Sequence, residues 1–132
     1  MRLHLVDGTY ELFRAYYGAQ RDRSDGTSRR SGPVVEGATD SPLAAVLGLV
    51  QSLLALLRRD RVTHIAVAFD RVIESFRNDL FSGYKSSDGV PEDLLEQFAL
   101  AEEAVDAMGI VVWSMIEFEA DDAIATGVAR WC

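Results

Sequence analysis

The chain has 132 residues, of which 48% are hydrophobic and 9% aromatic. This length predicts one domain that buries roughly two-thirds of the surface of the unfolded chain, and the composition excludes a disordered tail. The net charge of −8 argues against a protein that binds nucleic acid through its overall charge. The single cysteine, Cys132, excludes an internal disulfide, and the early Asp7 argues against a signal peptide. We therefore expect a cytoplasmic protein.

Three short apolar runs predict buried β-strands. Each is rich in Val, Ile or Leu without polar alternation, a pattern typical of parallel strands that are covered on both faces. The predicted strands are Leu3–Val6, His64–Phe69 and Ile110–Trp113.

Helical patterns separate these strands along the chain. The predicted helices cover Tyr10–Tyr17, Pro42–Arg59, Pro91–Met108 and a segment that begins near Ala120. The apolar part of the second, Leu43–Leu57, spans only about 22 Å as a helix, which is too short for a bilayer core of roughly 30 Å. Strands that alternate with helices predict an α/β fold with a parallel sheet and no contact with a membrane.

An arginine-rich segment over residues 20–41 predicts a long, mobile loop. It contains Arg21, Arg23, Arg29 and Arg30 among Gly, Ser and Asp residues. Two interpretations stay open: a solvated linker, which such compositions favour, and a loop that contacts phosphate.

Acidic residues follow each predicted strand. Asp7 ends the first, Asp70 ends the second, and Glu119, Asp121 and Asp122 follow the third. Separately, these acids have ordinary interpretations as turn formers or as the acidic first turn of a helix. Because parallel strands end at one edge of their sheet, however, we expect the five carboxylates to lie together.

So many carboxylates require a counter-charge, and oxygen ligands favour Mg²⁺ or Mn²⁺. Zinc is disfavoured, since His4 and His64 lie inside strands and Cys132 is terminal. The chain has no glycine-rich phosphate-binding loop of the nucleoside triphosphatase type. The pattern therefore indicates hydrolysis of a phosphodiester by a metal-activated water.

Four segments together resemble the PIN-like N-terminal region of the 5′→3′ exonucleases and flap endonucleases, most closely the 5′-nuclease domain of bacterial DNA polymerase I. They are "LVDGTYELFRAYYG", "SPLAAVLGLVQSLL", "VAFDRVIESFRNDLFSGYK" and "MGIVVWSMIEFEADDAIATGVA". The resemblance implies a resolvase-like α/β core that cleaves DNA with a 5′ end or flap in replication or repair. It also implies that the metal ligands are Asp7, Asp70, Glu119, Asp121 and Asp122.

Further residues gain roles from the same resemblance. It implies that Arg14, Arg77 and Lys85 face the scissile phosphate or the 5′ strand, and that Tyr84 stacks on a base. Residues 77–91 correspond to the family's arch-like segment. One departure is Asp88, which stands where the family usually carries positive charge.

The second departure concerns the region after Cys132, where the family continues into a strand with further acids and a duplex-binding element. The chain is therefore interpreted as the N-terminal portion of a 5′-nuclease domain, with a C-terminal half or a polymerase as possible partner. It is either a piece of a longer protein or a natural short form. Two other functions stay open: a metal- or nucleic-acid-binding module without hydrolysis, and an RNA-cutting nuclease.

Overall fold

A computed structural model of the chain describes residues 1–25, 42–59, 61–71, 76–81, 83 and 89–132. The elements alternate as the sequence predicts, which confirms the α/β class. In chain order they are β1 (Leu3–Asp7), α1 (Gly8–Asp25), α2 (Ala44–Arg59), β2 (His64–Asp70), α3 (Phe76–Leu80), α4 (Glu92–Ala107), β3 (Val111–Met115) and α5 (Ala120–Trp131).

The three strands form one parallel sheet in the order β1-β2-β3. Asp7 at the end of β1 pairs with Ala68, and Asp70 at the end of β2 pairs with Met115 at the end of β3. All three strands therefore end at the same edge of the sheet, which we call the carboxyl edge.

One face of the sheet carries the main core, under α1, α2 and α4. The strands contribute alternate side chains to it, including Val67 and Phe69 of β2. Gln97 of α4 is buried and its Oε1 accepts hydrogen bonds from the backbone N–H groups of Ala45 and Val46, so α4 caps the start of α2. The largest fully buried side chains are Leu12, Leu49, Leu53, Leu94, Val67 and Val105.

The other face of the sheet is covered by α5. A Cβ atom at Gly127 would lie 2.9 Å from Leu5 and 3.1 Å from the ring of Trp113, so the absence of a side chain allows α5 to approach the sheet closely. Trp131 then stacks on Trp113, with ring centroids 6.0 Å apart. The end of α5 is thus fixed to β3.

Helix α1 is longer than predicted. It continues through Asp25, over the first part of the segment 20–41 that the composition predicted as a loop. Tyr16 and Ala19 are buried on its inner face, and this tertiary packing stabilises a helix beyond Tyr17. The remainder of the predicted loop, 26–41, lies outside the described residues.

The segment 77–91 is described only in part. Its beginning belongs to α3, a short helix that the sequence did not predict. Tyr84, Lys85 and Asp88 lie outside the described residues, so their predicted roles stay predictions. Among the helices that the structure describes, none is long and apolar enough to cross a membrane.

Candidate functional site

The sheet delivers acids from three separate segments to the carboxyl edge. Asp7 and Asp70 are the last residues of β1 and β2, and Glu119 is the residue before α5, which follows β3. The parallel register accounts for this convergence because it aligns the strand ends. The predicted gathering of carboxylates therefore follows from the topology.

Asp7 is electrostatically coupled to two other carboxylates. Partial burial raises the pKa of its carboxyl, and the negative charges of Asp70 and Asp121 raise it further, against the lowering effect of backbone hydrogen bonds from Tyr10 and Thr9. The N–H of Tyr10 donates to Asp7 Oδ1 at 2.9 Å. We call Asp7, Asp70 and Asp121 the coupled carboxylates.

Asp70 connects the end of β2 to both neighbouring helices. Its Oδ1 accepts a hydrogen bond from the N–H of Ala120 at 2.7 Å, at the first turn of α5. Its own backbone N–H donates to Thr9 Oγ1 at 2.8 Å, in the first turn of α1. These two contacts fix the relative positions of the three segments that carry the coupled carboxylates.

The other two acids share the positive charge of one arginine. Arg77 donates to both carboxylate oxygens of Asp122, at 2.9 and 2.8 Å, and one of its nitrogens lies 3.1 Å from Glu119 Oε2. Glu119 is only 6% exposed, so its charge needs this partner. We call Glu119 and Asp122 the arginine-paired acids.

The arginine-paired acids also start α5. The N–H of Glu119 donates to Asp122 Oδ2 at 2.9 Å, and the side chain of Glu119 accepts from the N–H of Asp122, which together form a capping box. The helix-start interpretation of the acidic cluster is therefore confirmed for these two residues. Asp121 lies between them, exposed, and interacts with Asp7 instead.

The ligand chemistry of the edge fits a hard divalent cation such as Mg²⁺ or Mn²⁺, because every acid offers oxygen. Within the described part of the chain, no three His, Cys, Asp or Glu side chains are arranged to hold a metal ion. Two of the five acids are held by Arg77, and the N–H of Ala120 donates to one oxygen of Asp70. The coupled carboxylates are the acids whose mutual repulsion a cation would relieve.

The predicted phosphate-binding residues fall in different places. Arg14 lies on α1 with its side chain 60% exposed and pairs with Glu11 one turn earlier. Arg77, in contrast, lies at the carboxyl edge against the acids.

Thr9 and Gly8 are site residues that sequence reasoning missed. Thr9 bonds the end of β2, and a Cβ atom at Gly8 would lie 2.5 Å from the ring of Phe69 and 2.7 Å from Val67. Gly8 thus lets α1 begin directly above β2. The Gly-Thr pair after Asp7 is visible in the sequence, but its role becomes clear only once β2 is known to lie next to the start of α1.

The comparison of the sequence with known protein families agrees with this fold and with the acids at the carboxyl edge. Residues 2–132 match the family described as "5'-3' exonuclease, N-terminal resolvase-like domain". Because the match covers nearly the whole chain, the chain belongs to this family, and the resemblance inferred from the four segments is confirmed.

Individual relatives include two kinds of protein. The chain is 35% identical over 125 residues to DNA polymerase I of Mycobacterium leprae (94% of this chain and 12% of the relative), and 34% identical over 133 residues to the thermostable DNA polymerase I of Thermus thermophilus (98% and 14%). It is 32% identical over 126 residues to a 5'-3' exonuclease of Bacillus subtilis, with 95% of this chain and 40% of the relative covered. The chain therefore spans less than half of the length of each of these relatives.

Proposed function

We propose that this domain is the N-terminal part of a metal-dependent 5′→3′ exonuclease and flap endonuclease that hydrolyses DNA phosphodiesters in replication or repair. The single observation that supports this most is that parallel strand ends bring Asp7 and Asp70 to one edge, where the charges of Asp70 and Asp121 raise the pKa of Asp7 beyond the effect of burial. Partial burial and these two charges make the ionisation of Asp7 costly, and a divalent cation would offset that cost. The family and the named relatives supply the substrate class.

The residues have separate tasks in this proposal. The coupled carboxylates would hold Mg²⁺ or Mn²⁺, with the arginine-paired acids next to them. A bound ion of this kind activates water and stabilises the leaving oxygen of a phosphodiester. Arg77 holds Glu119 and Asp122 in position, and its guanidinium is proposed to bind an oxygen of the substrate phosphate as well. Lys85 and Tyr84, which are not among the described residues, are proposed to contact the 5′ strand.

The test is cleavage of a 5′-labelled DNA flap in the presence of Mg²⁺. Asp70→Asn keeps the acceptor oxygen for the Ala120 N–H but removes a charge, so we expect its cleavage rate to fall by at least about 100-fold. The matched control is Glu103→Gln, an exposed acid on α4, which should cleave like the unmodified protein. Normal cleavage by Asp70→Asn would show that the assignment is wrong.

A second candidate, binding of metal and nucleic acid without hydrolysis, is favoured by one contact. Arg77 occupies two of the five acids, which leaves fewer carboxylates for the second ion of a two-metal hydrolysis. The same assay separates the two functions, since this candidate predicts Mg²⁺ binding but no cleavage. Comparing DNA with RNA flaps tests the RNA-cutting alternative, because a site that tolerates the 2′-hydroxyl would cut both.

A further inference from the structure

Four side chains form a narrow stripe on the outer face of α1. They follow one another at spacings of four, three and four residues, so at about 100° per residue they fall within roughly 60° of the helix circumference. The side chains are Tyr10, Arg14, Tyr17 and Arg21, and we call them the α1 stripe. The buried residues Leu12, Tyr16 and Ala19 lie on the opposite side of the helix, against the core.

The stripe alternates aromatic and cationic groups that are open to solvent. Tyr10 is 63% exposed and Tyr17 is 43% exposed, while the side chain of Arg14 is 60% exposed and Arg21 is also exposed. A tyrosine ring offers a flat surface to a base, and an arginine offers a charge to a phosphate. Such a pattern matches the chemistry of a single nucleic-acid strand.

The second ring of the stripe is held in place from behind. The ring of Tyr17 lies edge-on to that of Tyr16, with centroids 5.2 Å apart, and 6.4 Å from that of Phe13. Tyr16 is itself fixed, since its hydroxyl donates to Asp93 at 2.8 Å. A preorganised ring loses little conformational freedom when a base stacks on it.

The stripe begins at the proposed site. The N–H of Tyr10 bonds the carboxylate of Asp7, so the first ring lies on the turn of α1 next to the carboxyl edge. From Tyr10 to Arg21 the helix rises about 16 Å, and the two rings are about 10 Å apart along it. A strand whose phosphate reaches the carboxylates would thus be able to follow α1 away from them.

We infer that the α1 stripe binds the single-stranded part of a nucleic-acid substrate, with bases stacked on Tyr10 and Tyr17 and phosphates near Arg14 and Arg21. This inference rests on the proposed function for the direction of the strand. The net charge of −8 repels DNA in general, so binding depends on this local stripe.

The test is fluorescence anisotropy of a short labelled oligodeoxythymidine with the protein in EDTA. Chelation prevents cleavage, so the measurement reports binding alone. Tyr10→Ala and Tyr17→Ala should each raise the Kd by about 10-fold, since each removes a stacking platform. Tyr17→Phe keeps the ring and should bind like the unmodified protein, which separates stacking from loss of the fold.

Three further variants test the role of charge and control for surface exposure. Val128→Ala removes an apolar side chain of similar exposure (48%) from α5, on the other face of the sheet, and should leave the Kd unchanged. Arg21→Ala should reduce the slope of log Kd against log salt by about 0.7, the value for one phosphate contact of a single strand. Arg59→Ala, at the exposed end of α2, should leave that slope unchanged.

Two outcomes would overturn the inference: no saturable binding by the unmodified protein, or equal Kd values for it and both tyrosine-to-alanine variants. Flap cleavage that persists alongside either outcome would show that the inference fails while the proposed function stands. Conversely, stripe-dependent binding without any Mg²⁺-dependent cleavage would retain the stripe and reject hydrolysis.

Discussion

The two groups of acids at the carboxyl edge differ in how their charge is balanced. Glu119 and Asp122 share the guanidinium of Arg77 and form the capping box of α5. In the other group, partial burial and then the charges of Asp70 and Asp121 raise the pKa of Asp7. Five acids that look alike in the sequence therefore separate into a pair held by Arg77 and a trio of like charges, at which we propose that a cation binds.

The largest expected effect is a loss of cleavage activity when one of the coupled carboxylates is replaced. Asp121→Asn removes a charge next to Asp7 but leaves the capping box intact, so cleavage of a labelled DNA flap should fall by at least about 100-fold. The free energy of unfolding, from urea denaturation, should change by no more than about 0.5–1 kcal/mol, because Asp121 is exposed and the loss of its interaction with the helix dipole is opposed by the relief of its repulsion of Asp7. A large loss of stability with normal cleavage would reverse the assignment of the two groups.

The next largest effect is a loss of stability at Gly8, where β1 ends and α1 begins. Gly8→Ala brings a Cβ atom to 2.5 Å from the ring of Phe69, so we expect overpacking to lower the free energy of unfolding by about 1–3 kcal/mol. Gly18→Ala is the matched control within the same helix. Its Cβ would meet nothing within 4 Å, so the substitution should raise stability by roughly 0.5–1 kcal/mol. Equal effects of the two substitutions on urea denaturation would contradict the close packing of Gly8.

Removal of the arginine that pairs with Glu119 and Asp122 should also lower the free energy of unfolding. Arg77→Gln leaves the buried Glu119 without its cationic partner, at a cost of about 1–2 kcal/mol once the partial exposure of Arg77 is taken into account. Arg14→Gln breaks an exposed pair on α1 and should cost no more than about 0.5 kcal/mol. If Arg77→Gln were as mild as Arg14→Gln in urea denaturation, the arginine-paired acids would not need their counter-charge.

The smallest effect is a gain of stability. The pKa of Asp7 is raised in the folded protein, so its ionisation opposes folding. Its contribution to the free energy of unfolding falls as pH rises from the ordinary value of 3.8 through the raised value. Asp7→Asn removes this penalty and keeps an oxygen for the N–H of Tyr10. Without divalent cations, the variant should melt slightly above the unmodified protein at neutral pH.

This gain should disappear in acid. Below the ordinary pKa of an aspartate, Asp7 is protonated in both the folded and the unfolded chain, so the two proteins should have equal melting temperatures there. Circular dichroism at several pH values measures the difference. A variant that melts lower than the unmodified protein at neutral pH would mean that the charge of Asp7 stabilises the fold.

Much of this architecture was predictable because parallel strands have a simple signature. The apolar runs before Asp7 and Asp70 predicted the ends of two strands to within one residue. The parallel arrangement of the strands then predicted that these two acids lie at the same edge of the sheet. The partners of the acids were not predictable. Arg77 reaches Asp122 across 45 positions of sequence, a pairing that depends on where α3 lies. Helix α1 continued to Asp25 because of packing that composition does not report.

The most direct test of the account is calorimetric titration of Mg²⁺ into the metal-free protein. The unmodified protein and Glu103→Gln should bind the ion with equal affinity, and Asp7→Asn and Asp70→Asn should each weaken binding by at least about 10-fold, because each removes a carboxylate from the same site. Equal Mg²⁺ affinity in all four proteins, or no Mg²⁺ binding by the unmodified protein, would contradict the claim that strand ends from separate segments hold one divalent cation.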